Sequence, residues 1–132
     1  MNILTGQITA LEVNGNLTLV TAKVDNVVFK SIVIETPQSA SYLEVGREIK
    51  LLFKETEVII ASGTISNISL QNRITGSVSQ IEKGTLLSRL TVRTPVGDIV
   101  SIITTKSVEQ LKIIKGAKVT AMIKTNEITL SE

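Results

Sequence analysis

Thr104, Thr105, Ser107 and Thr125 place four hydroxyl groups near expected helix starts and strand ends, and Lys124 sets one ammonium beside Thr125. Hydroxyls, backbone N–H groups and one cation are what a small tetrahedral oxyanion requires, because its oxygens accept many hydrogen bonds. A helix starting at Ser107 would add a favourable dipole. The same residues also have a plain structural reading, since Ser is a common helix cap and Thr is common in strands. Other chemistries lack their groups. The sequence has no His and no Cys, which removes imidazole bases, thiolate nucleophiles, disulfides and the usual transition-metal ligands. No G-x-S-x-G, P-loop or G-x-G-x-x-G occurs, and the carboxylates are scattered rather than paired, so no catalytic residue and no enzymatic activity are expected.

Net charge is +2, but the sum hides a division. Residues 1–66 carry 5 Lys/Arg against 7 Asp/Glu, and residues 67–132 carry 9 against 5, so the halves stand at −2 and +4. The second half is the better host for an anion, although a solvated basic face accounts for the split equally well. Nucleic-acid binding by a small β-barrel usually needs aromatic platforms on a basic groove. Here Phe29, Tyr42 and Phe53 all lie in the acidic half, so no direct nucleic-acid binding is expected. No stretch approaches the roughly 20 apolar residues that span a bilayer, and the N-terminus does not read as a signal peptide. A cytoplasmic location without membrane association is the expectation.

Shifting the sequence by 70 aligns it with itself. Asn2, Thr5, Gly6, Glu12, Leu17, Thr21, Ser31, Ile32, Gly46, Lys54 and Glu57 meet identical residues at Asn72, Thr75, Gly76, Glu82, Leu87, Thr91, Ser101, Ile102, Gly116, Lys124 and Glu127. Eleven identities over 61 positions without a gap mark a tandem duplication. Residues 1–62 form the first repeat, 63–68 a linker and 69–132 the second. Within each repeat the apolar period is two. Asn14-Gly15 predicts a hairpin between Gln7–Val13 and Leu17–Val24, Asp25-Asn26 turns the chain into Val27–Ile34, and Lys83-Gly84 and Pro95–Asp98 repeat these turns. A brief helical interruption follows the third strand, and Ser107-Val108-Glu109-Gln110 reads as its capping box. A fourth strand follows Gly46 or Gly116, and a short fifth runs through Glu57–Ala61 or Glu127–Leu130. The expected fold is all-β: two tandem OB-like five-stranded barrels, each with one short helical turn. Barrels of about 60 residues are marginal alone, so the repeats should pack together and the chain should oligomerise.

The repeat resembles the Mop domain of molbindins, a TOBE-like family that binds molybdate and tungstate and also forms the effector domain of molybdate-responsive regulators. The resemblance rests on Ser69–Val78, Ile103–Leu111 and Lys115–Thr125, taken with their order and duplication. It implies that Ser69, Gln71, Thr104, Ser107, Lys124 and Thr125 hold the oxyanion. Gln71 stands where the family has arginine, so one positive charge is missing. In the first repeat Met1 replaces that arginine, Ile34 and Pro37 replace the two hydroxyl residues, and Glu55 follows Lys54, which implies a degenerate site. The resemblance further implies molybdate or tungstate as the bound ligand, with no organic cofactor and no separate metal. It also implies trimers of two-repeat chains, anion sites between subunits and edge strands exchanged between neighbours. Storage, homeostasis or sensing follows as the role. The alternative is an effector or oligomerisation domain of a regulator, or a structural module without ligand.

Overall fold

A computed structural model describes residues 1–132. Strict alternation builds the first strand, β1 (Asn2–Asn14), where Asn2, Leu4, Gly6 and Ile8 face inward and the residues between them face solvent. β2 (Leu17–Val24), β3 (Val27–Val33), β4 (Glu48–Phe53) and β5 (Ile59–Ser62) complete the first repeat. β6 (Asn72–Lys83), β7 (Leu87–Thr94), β8 (Gly97–Thr104), helix α1 (Thr105–Gln110), β9 (Lys118–Ile123) and β10 (Thr129–Ser131) form the second. A 3-10 turn precedes each fifth strand, at Glu55–Glu57 and Thr125–Glu127.

All pairings are antiparallel, and there are two five-stranded sheets, ordered β10-β4-β1-β2-β3 and β5-β9-β6-β7-β8. Each sheet therefore takes its fifth strand from the other repeat: Thr129–Ser131 lie against β4, and Ile59–Ser62 against β9. Edge strands were expected to pass between neighbouring chains; the exchange seen here lies within one chain. Five strands per sheet and a tandem OB-type arrangement agree with the sequence reading.

Each long first strand carries a β-bulge, between Ile8 and Ala10 and between Val78 and Gln80. The extra residue increases local twist and curls the sheet. Its side chain is used as well, since Thr9 Oγ1 donates to the Thr21 carbonyl at 3.3 Å and Ser79 Oγ to that of Thr91 at 3.2 Å. The curl presses β2 and β7 onto the first strands. A Cβ at Gly6 would sit 2.7 Å from the Lys23 carbonyl oxygen, and one at Gly76 would collide with that of Arg93. Close backbone approach thus accounts for one of the repeated identities.

A second pair of identities holds the repeats together. Asn2 lies against the outer edge of β8: its Nδ2 donates to the Val100 carbonyl at 2.8 Å, and its Oδ1 accepts from the Val100 N–H at 2.8 Å. Asn72 does the same to Lys30 on β3, at 2.8 and 2.7 Å. Ser31 Oγ donates to the Ile128 carbonyl and Ser101 Oγ to the Val58 carbonyl, both at 2.8 Å. These four side chains are buried, and they satisfy backbone groups that an edge strand would leave open. Behind them, one apolar cluster draws on both repeats, with Phe29, Phe53, Ile99 and Ile123 fully enclosed.

The helical segment departs from expectation twice. It starts three residues earlier than the Ser107 box predicts. Thr104 is the N-cap, its hydroxyl oxygen accepting from the Ser107 N–H at 3.1 Å, so Ser107 lies in the first turn and caps nothing. The strand ends on a hydroxyl residue, and that residue captures the free N–H groups first. In the first repeat no helix forms. Ile34 stands where Thr104 provides the cap oxygen, and Pro37 stands where Ser107 provides the N–H, so both partners of the cap are gone. A single turn remains, closed by the Ala40 N–H on the Thr36 carbonyl at 2.9 Å.

Candidate functional site

The β6–β9 ladder ends on the pair Asn72 and Ile123. The residues one step beyond, Gln71 and Lys124, therefore leave the sheet side by side. β5 borders β9 on its other side, where Ile59 pairs with Met122. Between these walls lies a cleft of about 380 Å³ lined by Ile59, Ile68, Ser69, Leu70, Gln71, Lys124 and Thr125. Four of the six residues expected to hold an oxyanion thus meet in one place. Lys124 is exposed and makes no ion pair within 4 Å, so its charge is uncommitted. Its backbone opens the 3-10 turn, where the Lys124 carbonyl accepts from the Glu127 N–H at 3.0 Å.

Thr104 and Ser107 do not line this cleft. Thr104 pairs with Leu87 beside the β6–β7 hairpin, at the opposite end of β6 from Gln71. There Thr104 Oγ1 donates to Ser107 Oγ at 2.8 Å, and the neighbouring Leu86 and Leu87 are 79% and 55% exposed. Thr105 is occupied otherwise: it is buried, and its hydroxyl bonds Ser88 and the Gly84 carbonyl, both at 2.8 Å. Ser69 and Lys124 lie on the same cleft of one chain. Sequence reasoning missed Ile59, Ile68 and Leu70. Leu70 lies in the Ser69–Val78 run and Ile68 ends the expected linker, but Ile59 comes from the other repeat and carries no local signal.

The equivalent position in the first repeat holds an ion pair. Glu55 stands in the place of Thr125, and its carboxylate accepts a 2.6 Å hydrogen bond from the Met1 ammonium. That bond, a backbone hydrogen bond and the field of Arg89 hold the Glu55 carboxyl below its usual range. A carboxylate thus stands here where the second repeat offers the Thr125 hydroxyl.

Glu127, at the end of the second 3-10 turn, meets its repeat equivalent Glu57. A hydrogen bond between the two carboxyl groups, burial and the like charge of Glu57 push Glu127 upward, against a smaller downward pull from Lys124. A carboxyl raised on folding stabilises the protein below its unfolded pKa, and that contribution is lost as pH rises through the folded value. Replacing Glu127 by Gln should therefore raise the melting temperature at pH 7, and the gain should vanish below about pH 4, where both forms are neutral. Melting curves of the two proteins across that range check this; an equal shift at every pH would contradict it.

Comparison with known proteins bears on the family and the fold. The TOBE domain matches residues 68–130. Molybdenum-pterin-binding protein 1 of Clostridium pasteurianum is 34% identical over 65 residues, which is 48% of this chain and 96% of that protein. Among solved structures, the cytoplasmic molybdate-binding protein ModG, in a crystal form with molybdate bound, superposes with a TM-score of 0.91 at 25% identity, covering 98% of this chain and 94% of that one. Two tandem OB-type repeats, the motif runs of the second repeat and these likenesses lead to one assignment: the chain belongs to the Mop (molbindin) family of TOBE-type domains.

Proposed function

We propose that this chain binds molybdate or tungstate without chemical turnover, for storage, homeostasis or sensing in the cytoplasm. The observation that carries the reading is the convergence of Lys124, Thr125, Ser69 and Gln71 on one cleft. Lys124 neutralises charge, while the hydroxyls and the Gln71 amide donate to the anion's oxygens. ModG, which shares the whole fold, holds molybdate. Residues 69–132 carry the chemistry and 1–62 form a degenerate repeat. Four ligands on one open face do not enclose a tetrahedral anion, so the shell is completed where chains meet. Thr104 and Ser107, ringed by exposed Leu86 and Leu87, supply the second face from a neighbouring chain, in a trimer of 14.2 kDa subunits. Gln71 in place of arginine leaves the site one charge short, which favours a releasable anion over a sequestered one.

Calorimetric titration with molybdate, tungstate and sulfate, beside sedimentation analysis, tests the reading. Saturable heat with the two metal oxyanions and a trimeric mass are expected. Absence of both heat and thermal stabilisation with either oxyanion would sink it.

A further inference from the structure

A second charged feature lies on the outer face of the second sheet, away from the cleft. Strand register sets Ser77 between Arg93 on β7 and Lys118 on β9, and Asp98 of β8 beyond Arg93. All four are exposed. Neighbouring strands lie roughly 4.8 Å apart, so the backbones bearing Arg93 and Lys118 stand about 10 Å apart across the small serine. Neither cation makes an ion pair within 4 Å, and Asp98 makes none either. The row is fixed in place on both sides. The Lys118 carbonyl accepts from the Gly63 N–H at 2.8 Å, and Gly76 lets the Arg93 backbone approach without a side chain between.

The first repeat shows what this scaffold looks like without such a charge. Its equivalent surface is a depression of about 400 Å³ lined only by polar residues, among them Gln7, Lys23, Asp25 and Glu48. Five of the seven lining residues differ between the two surfaces; Thr9 to Ser79 and Lys23 to Arg93 keep their chemistry, and three do not. Glu48 becomes Lys118, Asp25 becomes Pro95, and Gln7 becomes the shorter Ser77. Two anions are lost and one is gained at Asp98, where the first repeat has Val28; one cation is gained, and the side chain that would lie between the two cations is cut back to a hydroxyl. An arginine fork, an ammonium and a serine hydroxyl on three adjacent strands are donor types that a phosphate dianion takes.

We propose that Arg93, Ser77 and Lys118 form a second anion site, specific to the second repeat, that takes a phosphate group. It is independent of the oxyanion cleft and stands whether or not that cleft binds molybdate. The site is open, so its affinity falls steeply with salt. The shared chemistry is a phosphate dianion, whose source is inorganic phosphate or a small phosphomonoester.

Amide chemical shifts of the intact protein, followed at constant ionic strength, supply the test. Inorganic phosphate and glycerol phosphate are titrated separately against a chloride control. Saturable shifts at Ser77, Arg93 and Lys118 are expected with phosphate and not with chloride. Tighter binding of glycerol phosphate would identify a monoester site, and equal or weaker binding an inorganic phosphate site. Lys118→Glu and Ser77→Gln each import the residue found at the same place in the first repeat, so the scaffold tolerates both. Each should weaken phosphate binding at least fivefold, while the heat of molybdate titration stays unchanged. Shifts that do not saturate, that appear equally with chloride, or that persist in both variants would overturn the proposal.

Discussion

Asn72→Ala should lower the stability of the protein by about 2–4 kcal/mol, the largest effect expected of a single polar substitution in this chain. Asn72 is fully buried and completes both the N–H and the carbonyl of Lys30 at the edge of β3. Alanine removes two hydrogen bonds and leaves two partly buried backbone groups without their partner, which costs more than the bonds themselves contribute. Asn2→Ala repeats the experiment on Val100 and should cost somewhat less, because Asn2 retains 7% exposure. Denaturant unfolding measures both. A loss below about 1 kcal/mol for Asn72→Ala would mean that the edge finds other partners.

The second large effect concerns the ligand. Lys124→Ala should weaken molybdate binding about ten- to a hundredfold, the value of one hydrogen bond to a charged group, and Lys54→Ala should leave it nearly unchanged. The two lysines are equivalent by the repeat, yet only Lys124 borders the open cleft with Ser69, Gln71 and Thr125. Lys54 is followed by Glu55, whose carboxylate is already engaged by an ammonium group. Titration of both variants decides the matter. Equal losses would show that the two repeats bind alike.

Much of this was legible from residue order. Alternation gave the strands, the shift by 70 gave the duplication, and Gly15, Asp25 and Gly97 adopt the left-handed conformations that the expected turns require. The half of the site formed by Ser69, Gln71, Lys124 and Thr125 was legible too, because ladder register keeps residues near a strand end together. The origin of the fifth strands was not. Ile59–Ser62 and Thr129–Ser131 are four and three residues long, too short for their patterns to name the β-strand they join. The helix start was misread for a related reason. Thr104 and Ser107 are both competent caps by type, and the point where β8 stops pairing with Leu87 selects the first. The identity of Asn2 with Asn72 was visible in the alignment, but its meaning was not, since a side chain that mimics a ladder partner leaves no periodic trace.

The crossing of β5 and β10 has a thermodynamic consequence. Neither repeat can open its outer sheet without releasing a strand that the other needs, so partial unfolding of one raises the free energy of both. Binding energy gained by an anion at Lys124 would then be distributed over the whole chain, and residues 1–62, which give the cleft only Ile59, would share its protection from opening. The first repeat, with Ile34, Pro37 and Glu55 at the positions of Thr104, Ser107 and Thr125, thereby stays coupled to the second, which gives a physical reason for the chain to keep it.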